Sequence, residues 1–431
     1  MEEQTLKAKL RQGGLDETLR ALYGASRLEA ARSRCGHVLE AFAKTFESSP
    51  SALFSAPGRT ELGGNHTDHE RGRVLAAGVD LDILAAAAPN HSGILRIQSE
   101  GYPQITVELD DLTPKPEEEN TSAALIRGVA ARMAELGCPL AGMGLDAYMV
   151  SDVPGGSGLS SSAAFEVLIG VMLNDLFWNG RCTPVEIAQI GQYAENVFFG
   201  KPCGLMDQAA SSVGGVVFID FADRDHPSVE QIALDLKANR HVLCVLDSGA
   251  DHADLTDEYA AVTRELRAVC RHFGKEVLRE VPEESFLAAL PQVRQAAGDR
   301  GALRAFHIYE ENRRAAAEAG ALRSGDFASF LSLVRESGRS SAMYLQNVIP
   351  TGQTAHQELM LAIALAERLL NGRGAVRVHG GGFAGTAQAF VPEDCLEDFK
   401  RGIESVFGPG SCHVVTIRPV GGLRLDTARL M

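Results

Sequence analysis

Between Val153 and Ala164 the chain reads Val-Pro-Gly-Gly-Ser-Gly-Leu-Ser-Ser-Ser-Ala-Ala. The small residues Gly155, Gly156, Ser157 and Gly158 leave the backbone free to wrap closely around a ligand. Leu159 and three hydroxyls (Ser160, Ser161, Ser162) follow. An apolar run through Phe165, Val167, Leu168, Val171 and Met172 then predicts a helix, and Leu145 to Val150 upstream predicts a strand. A glycine loop feeding a helix N-terminus aims backbone N–H groups and the helix dipole at one point, which suits a phosphate. The adjoining serine hydroxyls suit the coordination of magnesium. A flexible connector shares this composition, but a solvated linker has no reason to fuse its serines to an apolar helix. The loop is not a Walker motif, because it contains no lysine. Its spacing also fails the G-x-G-x-x-G pattern with an acidic ribose partner, which argues against a dinucleotide site.

Composition sets the outer bounds. A chain of 431 residues is long for one core and suggests two domains. The sequence divides near residue 235, into 1–235 and 236–431. Hydrophobic content of 45% and charged content of 23% are those of a soluble globular protein. The opening Met-Glu-Glu-Gln lacks the basic start of a signal peptide. Apolar stretches read as short and interrupted, as Leu359 to Leu370 is by Glu367 and Arg368, so no membrane span is expected. Eight cysteines occur singly, without a C-x-x-C pair, and fit reduced thiols in a cytoplasmic protein. A net charge of −15 argues against nucleic acid as partner, though not against a small anion held by a local positive field.

Residues 1–49 read as amphipathic helix through Leu19, Leu22 and Leu28, and 50–110 as alternating strands and turns. A helix is expected over 121–136. Another begins at Thr183, with Pro184 as first helical residue and Glu186 as capping partner, and stops at Gly200. Strands are expected at 214–220, 241–247, 374–379, 386–391 and 412–419. Helices are expected at 253–274, 284–297, 299–319, 325–337 and 353–371. This mixed order implies an α+β fold in both halves.

Three further clusters carry chemistry. Arg59, His66 and Asp68 fall within ten residues of a glycine-rich bend, where short carboxylates and imidazoles readily bond sugar hydroxyls; an ordinary polar turn would look similar. Glu195 sits near the end of the capped helix, where the dipole disfavours an anion unless a cation lies beside it. Asp207 lies between Met206 and a run of small residues, and a buried carboxylate needs a partner, for which Arg59 is a candidate. Finally, Gly380, Gly381 and Gly382 between two strands require close backbone approach to a ligand or to another loop.

Together these segments resemble the GHMP kinases, and within them the galactokinase family. The glycine loop is similar to the family's P-x-G-x-G-L-[SG]-S-S-A motif. Gly58 to His69 is similar to G-R-V-N-L-I-G-E-H-T-D-Y, Cys203 to Gln208 to C-G-I-M-D-Q, and Gly380 to Gly385 to G-G-G-F-G-G. The later E-Y pair is Glu258-Tyr259. The resemblance implies the GHMP kinase fold: an N-terminal domain like ribosomal protein S5 domain 2, a ferredoxin-like C-terminal domain, and the active site between them. It implies ATP and Mg2+ as cofactors, with the loop from Gly155 to Ser162 holding the nucleotide and Ser161, Ser162 and Glu195 the metal. Asp207 would face the sugar's anomeric hydroxyl with Arg59 beside it, and Asn65, His66, Asp68, Gly204 and Tyr259 would line the sugar pocket.

Five of the twelve positions in the first motif depart from the family. The usual Glu, a sugar ligand, is Asn65; the usual Asn is Glu61; the usual Tyr is His69; and Gly63 and Thr60 replace apolar residues. Ser122 stands where many galactokinases place a tryptophan near adenine. The expected activity is phosphoryl transfer from ATP to galactose or a close relative. Asn65 and His69 leave an N-acetylhexosamine or a pentose as alternatives. A catalytically silent sugar and ATP sensor is the reading from another class.

Overall fold

The computed structural model describes residues 5–154, 158–201, 203–223, 226–250, 255–383 and 385–428. Helices α1 (Leu6–Arg11), α2 (Asp16–Tyr23) and α3 (Leu28–Phe46) bury Leu19, Leu22 and Leu28, as their spacing requires. They cover one face of a sheet begun by β1 (Ala52–Gly63), β2 (Arg73–Pro89), β3 (Ile94–Ser99) and β4 (Ile105–Glu108). Alternation along β1 sends Leu53 to these helices and Phe54 to the opposite core. That core is closed by α4 (Ser122–Glu135), β5 (Leu145–Ser151), α5 (Ser161–Trp178) and α6 (Pro184–Tyr193). Then come α7 (Met206–Val213), β6 (Val216–Asp220) and β7 (Ser228–Ile232).

The second half contains β8 (His241–Asp247), α8 (Thr256–His272), α9 (Glu283–Ala288), α10 (Leu290–Arg323), α11 (Phe327–Ser340) and α12 (Glu358–Leu370). It ends with β9 (Ala375–Val378), β10 (Thr386–Pro392), α13 (Leu396–Phe407), β11 (Cys412–Val415) and β12 (Leu423–Arg424). The first sheet has the order β12-β1-β2-β5-β3-β4, with β6 pairing β2 and β7 beyond it. The 17-residue β2 pairs β1 along its length, β5 toward one end and β6 toward the other. Among the described residues only the β3–β5 pairing is parallel. The second sheet, β11-β8-β10-β9, is antiparallel throughout. Helices α12 and α13 cover one of its faces, and α11 packs on the other with the end of α10, joining both sheets into one apolar core.

Several local features follow from the sequence signals. Thr183 and Glu186 form the expected capping box, Thr183 N–H donating to Glu186 Oε2 at 2.7 Å. The break expected at 298 is Gly298, which kinks α10 at φ +75°. Four elements went unanticipated: α7, β7, β12 and α13, although Leu396, Phe399, Ile403 and Phe407 have helical spacing. The expectation of no membrane span needs correcting, because α5 is long and apolar enough to cross one. Here most of its residues are buried against the first sheet, α4, α6 and α7, so its apolarity is that of a core helix.

The chain does not stay in the second sheet after β11. Thr416 N–H donates to Asp80 Oδ1 at 2.8 Å, Ile417 bridges to Val79, and β12 joins β1. Arg418, fully buried, reaches Asp82 Oδ2 at 2.9 Å. Asp82 also accepts from Tyr23 Oη at 2.6 Å, Arg34 Nη1 at 2.5 Å and Ser55 Oγ. Burial alone would raise its pKa; Arg34 and Arg418 more than offset that, leaving its carboxyl below the usual value. Removing one partner of a buried ion pair strands the other charge. We expect Asp82→Ala to lose roughly 3–5 kcal/mol in urea unfolding at pH 7. Because the folded-state pKa is depressed, that stabilisation is present above 3.8 and is lost as pH falls through the folded value, so the gap to wild type narrows in acid.

Candidate active site

The site is organised around Arg59, a buried residue on β1. Its Nε donates to Asp207 Oδ1 at 2.7 Å and its Nη2 to Asp207 Oδ2 at 2.8 Å, a bidentate fork. Its Nη1 donates to the Gly158 carbonyl, and its backbone N–H to the Leu159 carbonyl at 2.9 Å. One residue therefore joins the end of the glycine loop to the carboxylate. Asp207 lies in the first turn of α7, where the dipole favours an anion. Burial pushes its pKa up, but Arg59 and then Ser160 outweigh that and hold it below the usual range. Asp207 is ionised at neutral pH.

Of the loop residues expected to hold nucleotide, Gly155, Gly156 and Ser157 lie outside the described residues. Gly158 has φ +72°, and a Cβ there would come within 3.0 Å of Thr386 Oγ1 and 3.1 Å of His379 Nδ1, so only glycine fits. The Leu159 side chain is buried in the first core, which leaves its backbone alone to meet a ligand. Ser160 adopts φ +53°, an uncommon conformation for a residue with a side chain, and its Oγ donates to Asp207 Oδ2. Its hydroxyl thus serves the carboxylate, a role the sequence did not suggest. Ser161 and Ser162 open α5, half-buried.

Beside Asp207 lies a cavity of about 230 Å³ bordered by Arg59, Glu61, His66, Asp68 and Gly204. Gly204 is there for space, since a Cβ would fall 2.5 Å from Asp68 Oδ2. His66, at φ +61°, donates from Nε2 to the Gly381 carbonyl at 3.0 Å. Burial lowers its pKa to about 4, so the ring is neutral and its Nδ1 is an acceptor. Tyr259 donates to the Gly382 carbonyl at 3.0 Å and stands edge-on to Phe383. The triple glycine resolves into two uses. A Cβ on Gly382 would meet the Asn347 carbonyl at 2.0 Å, and one on Gly381 would meet Tyr259 at 2.7 Å, so both serve protein packing. Gly380 and Gly381 also border the cavity.

Asn65 does not stand where the resemblance put it. It is buried behind the cavity, its Nδ2 donating to Glu61 Oε1 at 3.0 Å and to the Gly380 carbonyl at 2.8 Å. Its Oδ1 accepts from Ser341 Oγ at 3.1 Å and Asn347 Nδ2 at 2.9 Å. The amide is saturated and has nothing left for a sugar hydroxyl. Glu61 borders the cavity instead and pairs with buried Arg377. The family's Asn and Glu have exchanged places, and the two side chains remain bonded to each other.

Glu195 is buried in the π-helical turn Ala194–Phe199 that continues α6. The cation that its position demanded is Lys201, at 3.4 Å. Gln208 Nε2 donates both to Glu195 Oε2 at 2.9 Å and to Glu166 Oε2 at 3.0 Å. Glu166 was not singled out from the sequence; the signal was a lone acid in an apolar helical run. Burial first, then Glu195, pushes its pKa well above the usual value. Its Oε1 is buried without a hydrogen-bond partner among the described residues. No group of three or more His, Cys, Asp or Glu side chains able to hold a metal occurs among the described residues.

The comparisons with known proteins show the family. A model of the GHMP kinases N terminal domain matches residues 124–215, and a galactokinase galactose-binding signature matches residues 40–89. The chain is 32% identical over 381 residues to a galactokinase of Streptomyces coelicolor, covering 86% of this chain and 92% of that one. Identity to a Homo sapiens galactokinase is 32% over 383 residues, covering 85% and 91%. The chain belongs to the galactokinase family. It is a galactokinase-like sugar kinase, a phosphotransferase. The crystal structure of Lactococcus lactis galactokinase complexed with galactose superposes with TM-score 0.76 at 25% identity, covering 90% of this chain and 99% of that one. A Methanococcus jannaschii mevalonate kinase, 13% identical with TM-score 0.61, shares the fold.

Two substitutions test how this family member differs from its relatives. Asn65→Glu sets a carboxylate against Glu61 and should cost roughly 1–3 kcal/mol in thermal or urea unfolding. The double variant Glu61→Asn with Asn65→Glu should recover much of that loss. Unaltered stability in Asn65→Glu would instead place residue 65 in the cavity wall. Gly204→Ala should displace Asp68 and raise the sugar KM by about 10²-fold while the KM for ATP stays the same.

Proposed function

We propose that this protein transfers the γ-phosphoryl group of ATP to the anomeric hydroxyl of galactose or a closely related sugar. The observation that carries the reading is the bidentate Arg59–Asp207 pair, fixed to the exit of the glycine loop on one side and open to the His66–Asp68 cavity on the other. The glycine loop and the N-terminus of α5 would cradle the phosphates. His66, Asp68, Gly204 and Tyr259 would hold the sugar. Eight free cysteines support a reducing, cytoplasmic setting.

In the transfer, the anomeric oxygen bonds to the γ-phosphorus, the bond to the bridging oxygen breaks, and ADP departs with that electron pair. Asp207 first orients the hydroxyl by accepting its hydrogen bond. A carboxylate with a depressed pKa is too weak a base to ionise a free hydroxyl, so the proton passes to Asp207 only as bond formation acidifies that oxygen. Arg59 holds Asp207 ionised and in position. Its charge also opposes the negative charge on the transferring group. Mg2+ fits the chemistry of the donor set: Glu195 and the hydroxyls of Ser161 and Ser162 are hard oxygen ligands, and Glu166, which shares Gln208 with Glu195, leaves its Oε1 without a hydrogen-bond partner among the described residues. Glu195 with Ser161 or Ser162 would hold the ion, which supplies charge neutralisation at the phosphates when bound.

The test is ADP release from Mg-ATP with a panel of free sugars, followed by product analysis for phosphate on the anomeric carbon. Asp207→Asn should lower kcat by roughly 10²–10⁴-fold while ATP binding persists. A variant with near-normal kcat would remove Asp207 from the mechanism, and a panel in which no sugar consumes ATP would remove the kinase reading.

A further inference from the structure

The sugar cavity does not end at His69. Its walls at His66, His69, Lys201 and Gly381 are shared with a larger hollow of about 860 Å³. A third hollow of about 600 Å³ continues from it past Thr263. The common wall is one face of α8, which presents Tyr259 to the sugar side and then Arg264, Arg267 and Arg271. These positions follow i, i+3, i+7 spacing and fall on one stripe of the helix. Among the described residues none of the three arginines has an ion-pair or hydrogen-bond partner.

Among the described residues, the nearby acids are engaged elsewhere. Glu265, on the same helix, turns to Arg300 and Arg304. Glu70 is buried, accepts the Leu278 N–H at 2.6 Å and feels the Arg267 charge without pairing with it, and Glu276 pairs with Arg71. In a chain with 56 acidic and 41 basic residues, three exposed guanidinium groups facing one hollow, none of them paired among the described residues, run against composition. A guanidinium fork matches carboxylate and phosphate oxygens. A neutral sugar needs hydroxyl-matched donors and acceptors and has no use for a row of such forks. None of the described phosphate-loop residues, Gly158 to Ser162, borders either hollow.

We propose, resting on the sugar-kinase reading, that the natural acceptor is an anionic sugar. It carries a carboxylate or a phosphate ester at the end remote from its anomeric hydroxyl, and the arginine face of α8 binds that group while Asp207 meets the hydroxyl.

The experiment measures ADP release by the full chain with Mg-ATP and galactose, N-acetylgalactosamine, galacturonate or galactose 6-phosphate, at matched ionic strength. One of the two anionic sugars should exceed galactose in kcat/KM by about tenfold or more, the equivalent of one charge-assisted contact, and which one does so identifies the anionic group. The double variant Arg267→Gln, Arg271→Gln should raise the KM for that sugar by a similar factor with kcat retained, and should flatten the dependence of KM on salt. Thermal unfolding of the variant distinguishes loss of the contact from loss of the fold. Galactose turned over as well as or better than both anions would overturn the proposal and leave the kinase reading in place. An unchanged KM in the double variant would also overturn it. If no sugar released ADP, both readings would fall together.

Discussion

The guanidinium of Arg59 is committed at all three nitrogens: two to Asp207 and one to the Gly158 carbonyl. A charge this buried is tolerated only when its partners satisfy it. The ordered position of the glycine-loop exit, the ionised state of Asp207 and the approach of α7 to β1 are therefore parts of one arrangement. Ser160 belongs to it as well. Its positive φ turns the hydroxyl onto Asp207, and a strained residue of this kind persists where its surroundings over-determine it. Positioning of this sort is what phosphoryl transfer requires of a protein, since little covalent chemistry falls to the side chains.

What could be read from the sequence was local. The capping box at Thr183, the break at Gly298 and the strand–loop–helix around Gly158 depend on neighbours a few residues away, and the structure has each of them. The Arg59–Asp207 pair spans 148 residues, yet it was anticipated because a carboxylate among small residues has few ways to be satisfied. Asn65 is the opposite case. Its direction is set by Ser341 and Asn347, more than 270 positions distant, and no local pattern carries that information. Glu166 is similar: its meaning appears only when Gln208 brings it beside Glu195.

The exchange between Glu61 and Asn65 changes the electrostatics of the site without breaking the contact between the two residues. Moving the carboxylate to position 61 brings it against Arg377 and into the field of Arg59. Burial raises its pKa, and Arg377 and Arg59 only partly counter that. The amide left at position 65 bonds the Gly380 carbonyl and so braces the glycine turn from behind. One wall of the cavity is thus stiffened by a residue that in the family reading would have been a ligand.

The return of the chain to the first sheet after Val415 has a consequence for biogenesis. Topologically the second sheet and its helices are an insertion, because β12 and Arg418 complete a layer whose other strands precede residue 235. During synthesis the earlier strands emerge with Asp82 still lacking one of its cations. A nascent chain released at the midpoint would expose an unpaired β1 edge, the kind of surface that recruits chaperones or other copies. Completion of the first sheet therefore waits until the segment from Arg418 to Arg424 has been synthesised.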